Sequence, residues 1–223
     1  MNTAIIVAAG RGTRMGPGID KLFLEVAGLP VVAHTWRRFD QHPEIDHLCL
    51  VVRPGLEAEF EELGRRLEVR KPYTLAPGGA ERQDSVWSGL THVPSGTRIV
   101  AIQDGARPCT SAVTISRCLQ AARETGAAVA AQRAVDTFKE ADAQQRVARH
   151  LDRSRLWSVQ TPQCFRLAVL QEALSAVRAR GATVTDDTAA CELIGAPVAL
   201  VDCPEPNPKV TLPTDLPVVA LWL

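Results

Sequence analysis

The chain has 223 residues, 46% of them hydrophobic, enough to bury one good core and too few for two large domains, so a single domain over residues 1–223 is expected. Its 25 basic residues balance 25 acidic ones, which excludes the broad positive field of a nucleic-acid or anionic-membrane binder and points to a small-molecule partner. Six cysteines without a C-x-x-C pair, and five histidines outside any H-E-x-x-H arrangement, fit reduced thiols in the cytoplasm and argue against a transition-metal centre.

The first element is an apolar run over residues 4–8, a buried strand too short to span a bilayer, with no basic leader before it. It breaks into Ala8-Ala9-Gly10-Arg11-Gly12-Thr13-Arg14-Met15-Gly16 and reaches Lys21. Small residues let backbone N–H groups approach an anion, and Arg11, Arg14 and Lys21 add cations at the same strand end, which suggests a nucleoside triphosphate. Two commoner glycine loops fail on spacing. The dinucleotide fingerprint needs Gly or Ala where Met15 stands, and the Walker loop needs Gly-Lys-Ser/Thr, whereas Lys21 lies between Asp20 and Leu22. A plain glycine turn with solvated arginines fits the same segment.

Further on, apolar runs alternate with amphipathic stretches: a helix over 31–39 with Pro30 at its start, a strand over 48–52, a helix over 56–67 and a strand over 73–76. A helix through Val86 and Leu90, a strand over 99–102, a helix near 115–124 stopped by Gly126, and a strand over 127–131 follow. This βαβ rhythm predicts an α/β fold, a Rossmann-like, mostly parallel sheet covered on both faces. It breaks between 135 and 164, where two short extended pieces flank polar residues 140–146. We read a projecting β-arm at about 136–160; an ordinary surface loop fits the pattern equally. Helices over 167–179 and 187–193, a strand over 198–201 and a closing helix within 214–223 complete the chain.

Loops leaving the carboxyl ends of parallel strands usually form the ligand crevice. The polar motifs fall there: the Gly10 to Lys21 loop, Gly78-Gly79-Ala80-Glu81-Arg82-Gln83-Asp84-Ser85, and Gln103-Asp104-Gly105-Ala106-Arg107-Pro108, with Asn207-Pro208-Lys209-Val210-Thr211 late in the chain. Asp104 is placed to hold a divalent cation such as magnesium against phosphate oxygens, or else to cap the following turn. The Gly78-Gly79 pair admits a base or ribose close to the backbone, or is a plain turn.

Read with Asp136-Thr137, Asp152-Arg153 and Thr161-Pro162-Gln163, these motifs resemble, in order and over nearly the whole chain, the cytidylyltransferases that activate 2-C-methyl-D-erythritol 4-phosphate in the non-mevalonate isoprenoid pathway. The resemblance implies a homodimer in which the arm reaches the neighbouring active site. It implies that Arg14 and Lys21 stabilise the charged transition state and that Arg153 and Lys209 position the substrate phosphate. Ala8, Ala9, Gly10, Gly12, Gly79, Ser85 and Asp104 would bind CTP, with Mg2+ or another divalent cation at Asp104. Arg107, Thr137 and Thr161 would bind the sugar phosphate, with Thr137 and Arg153 supplied by the partner chain. One departure is visible: Ala80 stands where members often carry Asp, which leaves backbone contacts only. No Ser-His-Asp or Cys-His arrangement is present, and none is required, because a phosphate monoester with a second pKa of about 6 is already a nucleophilic dianion near neutral pH. A pentitol (ribitol) 5-phosphate cytidylyltransferase shares the loop and mechanism, a molybdopterin guanylyltransferase shares the loop, and a nucleotide-binding regulatory module would have lost catalysis.

Overall fold

The computed structural model describes residues 1–10 and 20–223. The first strand, β1 (Asn2–Ala8), is followed by a tight hairpin of β2 (Glu25–Val26) and β3 (Leu29–Pro30). Ala27 and Gly28 turn it with φ of 48° and 78°, the paired positive angles that two-residue hairpins favour. Then come α1 (Val31–Asp40), β4 (His47–Val52), α2 (Glu57–Arg66), β5 (Tyr73–Pro77), α3 (Arg82–Thr91), β6 (Ile99–Asp104), α4 (Ala112–Thr125) and β7 (Ala127–Arg133). The chain continues through β8 (Lys139–Ala141), β9 (Val147–His150), β10 (Trp157–Arg166), α5 (Leu167–Ala179), α6 (Asp187–Leu193), β11 (Ala199–Asp202) and α7 (Asp215–Ala220).

Seven strands form one sheet in the order β11-β7-β10-β6-β1-β4-β5, parallel throughout except for β10, which runs antiparallel to both β6 and β7. The mostly parallel α/β architecture expected from the sequence is therefore present. Side chains of β1 alternate between two cores: Ala4, Ile6 and Ala8 face α1, α2 and α4, while Ile5 faces α3, α5 and α6. On the first face Trp36 is fully buried, with Tyr73 edge-on at 5.1 Å and Phe60 at 6.5 Å. On the second, α3 lies so close to the sheet that a Cβ on Gly89 would stand 2.6 Å from Ile5 Cγ2. Ser111 caps α4 by accepting the Thr114 N–H at 3.1 Å, and Gly126 ends it with φ of 97°. Pro217 falls in the first turn of α7, where a missing N–H costs no helical bond.

The structure differs from the sequence expectation in the projecting arm. Residues 157–160 belong to β10, inside the main sheet; the projecting part is the β8–β9 hairpin, all of whose strand residues are exposed. β10 escaped detection because Ser158, Gln160, Thr161, Pro162 and Gln163 give it a polar signature. Pro162 follows a cis peptide bond, where the register with β7 shifts between Val159 and Gln163, the kind of irregularity that admits proline to an interior strand.

Candidate active site

The carboxyl ends of β1, β4, β5 and β6 open into a cleft of about 870 Å³. Its floor is backbone. The Gly78 N–H donates to Val52 O at 2.7 Å, and the Gly105 N–H donates to Val7 O at 3.0 Å, so the loops after β5 and β6 are tied to the ends of β4 and β1. Glycine is obligatory at the first tie, because a Cβ on Gly78 would lie 2.2 Å from Ala9 Cβ. Ser85, almost fully buried in the first turn of α3, accepts the Gly79 N–H at 3.1 Å and donates to Glu81 O at 3.2 Å. Its hydroxyl thus shapes the glycine turn from beneath.

Asp104, the last residue of β6, is the electrostatic centre. Lys209 Nζ lies 2.7 Å from its Oδ2, Arg82 Nε 3.4 Å from its Oδ1, and Arg107 Nε 3.9 Å from Oδ2. Burial alone would raise the pKa of this carboxyl; the charges of Arg82 and Lys209 outweigh it and hold the group down at about 2. Its backbone N–H donates to Thr161 Oγ1 at 3.1 Å, which ties the carboxylate's backbone to β10. Arg82 also reaches Asp187 Oδ2 at 2.8 Å; Asp187 is fully buried at the start of α6, and burial pushes its pKa up against the pull of Arg82. Arg82 therefore bridges two carboxylates, one at the end of β6 and one at the start of α6.

The residues named from sequence separate into three groups. Ala9, Gly10, Lys21, Gly79, Ser85, Asp104 and Lys209 line the cleft together, with Ala8 buried just beneath. Arg107 and Thr161 lie deeper: Arg107, with a side chain 12% exposed, donates from Nη1 to Asn207 O at 2.6 Å, and Thr161 is buried against Asp104. Thr137 and Arg153 are exposed in the arm region, and Arg153 Nη1 donates to Val135 O at 2.5 Å. Gly12 and Arg14 lie outside the described residues. Sequence reasoning assigned no role to Arg53, Asp187 or Asn207. The buried Asn207 bonds Gln160, Thr161 and Thr110, clamping the Lys209 segment to β10. Asn207 stands in a polar motif visible in the sequence, but the roles of all three stay hidden there, because each acts on a partner more than 30 positions away.

Among the described residues two carboxylates line the cleft, Glu81 and Asp104, and Asp104 is the one held ionised at the end of a core strand. Among the described residues no group of three His, Cys, Asp or Glu converges. The donor set thus fits a hard cation that takes one carboxylate and completes its shell with ligand phosphates and water. No helix among the described residues is long and apolar enough to cross a membrane.

The chain matches the family described as IspD: 2-C-methyl-D-erythritol 4-phosphate cytidylyltransferase over residues 2–223. A protein of that name from Geobacillus kaustophilus is 42% identical over 213 residues, covering 96% of this chain and 92% of the relative. Another from Pelotomaculum thermopropionicum is 43% identical over 216 residues, covering 96% and 91%. The crystal structure of 4-diphosphocytidyl-2C-methyl-D-erythritol synthase from Anaerococcus prevotii superposes with a TM-score of 0.88 at 26% identity, covering 99% of this chain and 97% of that one.

Proposed function

This chain belongs to the 2-C-methyl-D-erythritol 4-phosphate cytidylyltransferase family, and from that premise we propose how its residues divide the work of moving CMP from CTP to the methylerythritol phosphate. The observation that carries the reading is the convergence of Arg82, Arg107 and Lys209 on the ionised Asp104, with Lys21 lining the same glycine-floored cleft. Such a site neutralises phosphate charge, which is what transfer between two phosphates requires.

A non-bridging oxygen of the acceptor monoester, already dianionic, attacks the α-phosphorus of CTP. The new P–O bond forms as the bond to the β-phosphate oxygen breaks, and pyrophosphate leaves with that electron pair. Lys21 faces the charge building on the α-phosphate and leaving group, with Arg14 as its companion. Lys209, poised on Asp104, receives the acceptor phosphate. The Gly78-Gly79 turn, held by Ser85, presents backbone to the cytosine. Arg107 and Thr161 act from below by fixing Asp104 and the Lys209 segment. Mg2+ held by Asp104 and the triphosphate would supply further neutralisation of phosphate charge.

We also infer a homodimer. A two-stranded hairpin alone is marginally stable in water, and β8–β9 projects with Val135, Phe138 and Val147 exposed by 78%, 44% and 69%. A second copy covering the arm would bring Thr137 and Arg153 to the neighbour's cleft. Six buried free thiols accord with a reducing compartment, the cytoplasm.

The test is pyrophosphate release from CTP with methylerythritol phosphate and ribitol 5-phosphate side by side, and ATP, GTP and UTP as controls. Turnover with CTP and methylerythritol phosphate is expected. Activity with ribitol 5-phosphate alone would move the assignment to the pentitol enzymes, and nucleotide binding without turnover would leave a regulatory module.

A further inference from the structure

The cleft wall beside Lys21 carries an ion pair that none of the roles above uses. Arg53 follows the last residue of β4, and its Nη2 lies 2.6 Å from Asp20 Oδ2. The other oxygen of Asp20 accepts the Leu22 N–H at 3.1 Å, and the Asp20 carbonyl accepts the Phe23 N–H, also at 3.1 Å. Leu22 is buried, and Phe23 meets Phe60 edge to face at 5.3 Å. Lys21 thus stands between two fastenings: an apolar anchor on its carboxyl side and, on its amino side, the ionic tie from Asp20 to the sheet. Its Nζ reaches Val210 O at 3.0 Å, beside Lys209.

Resting on the cytidylyltransferase reading, we propose that Arg53 is a positioning residue for the transfer step, acting through Asp20 to hold the backbone that carries Lys21. The side chains of the pair are 30% and 20% exposed, so the pair adds little to folding. Its effect is geometric. Lysine places a compact charge on a flexible four-carbon stem, and displacing a reacting group by about 1 Å costs on the order of 100-fold in rate. Two of the three contacts of Asp20 are backbone N–H groups of its own turn, those of Leu22 and Phe23; among the described residues the third, Arg53, joins that turn to the end of β4. Arg53 also lines the cleft itself, so direct contact with the triphosphate is the competing role, and the two roles separate in the kinetics.

Steady-state pyrophosphate release is measured for the full chain and for Arg53→Met, Asp20→Asn, the double variant and Arg53→Lys, with thermal melts to verify folding. Positioning requires that Arg53→Met and Asp20→Asn each lower kcat about 10-fold with little change in KM for CTP. The double variant should be no slower than either single one, because both cut the same tie. Arg53→Lys should recover part of the rate, since one contact to one oxygen suffices. Wild-type kcat in Asp20→Asn together with a raised KM for CTP in Arg53→Met would overturn the inference and make Arg53 a phosphate ligand; wild-type kinetics in both would also overturn it. An unaltered chain that releases no pyrophosphate from CTP with any acceptor would instead defeat the cytidylyltransferase reading itself.

Discussion

A carboxylate whose side chain is 12% exposed at the end of a core strand stays ionised only if cations surround it, and Asp104 has three within 4 Å. Its pKa falls from 3.8 to about 2, which corresponds to roughly 2 kcal/mol of folding stability. Because the folded value is the lower one, this contribution is complete above the ordinary carboxyl pKa and is lost as pH falls through about 2. Replacing Asp104 with Asn should therefore cost about 2 kcal/mol in urea denaturation at pH 7, and the gap to wild type should close between pH 4 and pH 2. A gap independent of pH would mean that packing, not charge, is what the substitution removes. Lys21 makes the opposite case. Its amine donates to a main-chain carbonyl, Val210 O, at 3.0 Å. Lys21→Ala should leave the melting transition nearly unmoved while lowering kcat on the order of 100-fold, the usual effect of removing one preorganised charge donor. Pyrophosphate release near the wild-type rate would sink the role given to Lys21.

At the scale of elements, close approach of backbone decides what the sequence can tolerate. Gly78→Ala would drive a Cβ to 2.2 Å from Ala9 Cβ and push the β5 loop off the β1 loop, so CTP binding measured by calorimetry should collapse while the core persists. Gly89→Ala acts in the core instead: its Cβ would meet Ile5 Cγ2 at 2.6 Å and Val51 Cγ2 at 3.0 Å, with an expected cost of about 1–3 kcal/mol in denaturant titration. The elements that these glycines join were legible beforehand, because β1, β4 and β6 are short runs of Ile, Leu and Val with βαβ spacing, and the two-faced alternation follows from period two. β10 was not legible. A strand that carries buried Gln160, Thr161 and Gln163 hides its burial behind polar residues whose partners lie far away, as in the bond from Gln163 Nε2 to Asp186 Oδ2 at 3.1 Å. The same reason limited the site. Asp104 and Lys209 stood out as motifs, but the bridge from Arg82 to Asp187 joins residues 105 positions apart, and no local spacing encodes it.

At the scale of the whole molecule, the question is whether one chain contains one complete site. The cleft holds Lys21, Asp104 and Lys209, whereas Arg153 sits on the exposed arm region with its guanidinium turned to Val135 O. If the acceptor phosphate is gripped by Arg153 from a second copy, Arg153→Ala and Lys21→Ala damage different halves of a shared site. Each variant alone should then be nearly inactive as its own dimer. Mixed by co-refolding, half of the dimers would be hybrid, and each hybrid would join one intact cleft to one intact arm. Roughly a quarter of wild-type activity should return. Because two-fold symmetry pairs the damaged cleft with the damaged arm in the other site, recovery cannot exceed that fraction, and its size reports the geometry directly. An Arg153 acting within its own chain would give no recovery at any mixing ratio, since every cleft would lack either its lysine or its arginine.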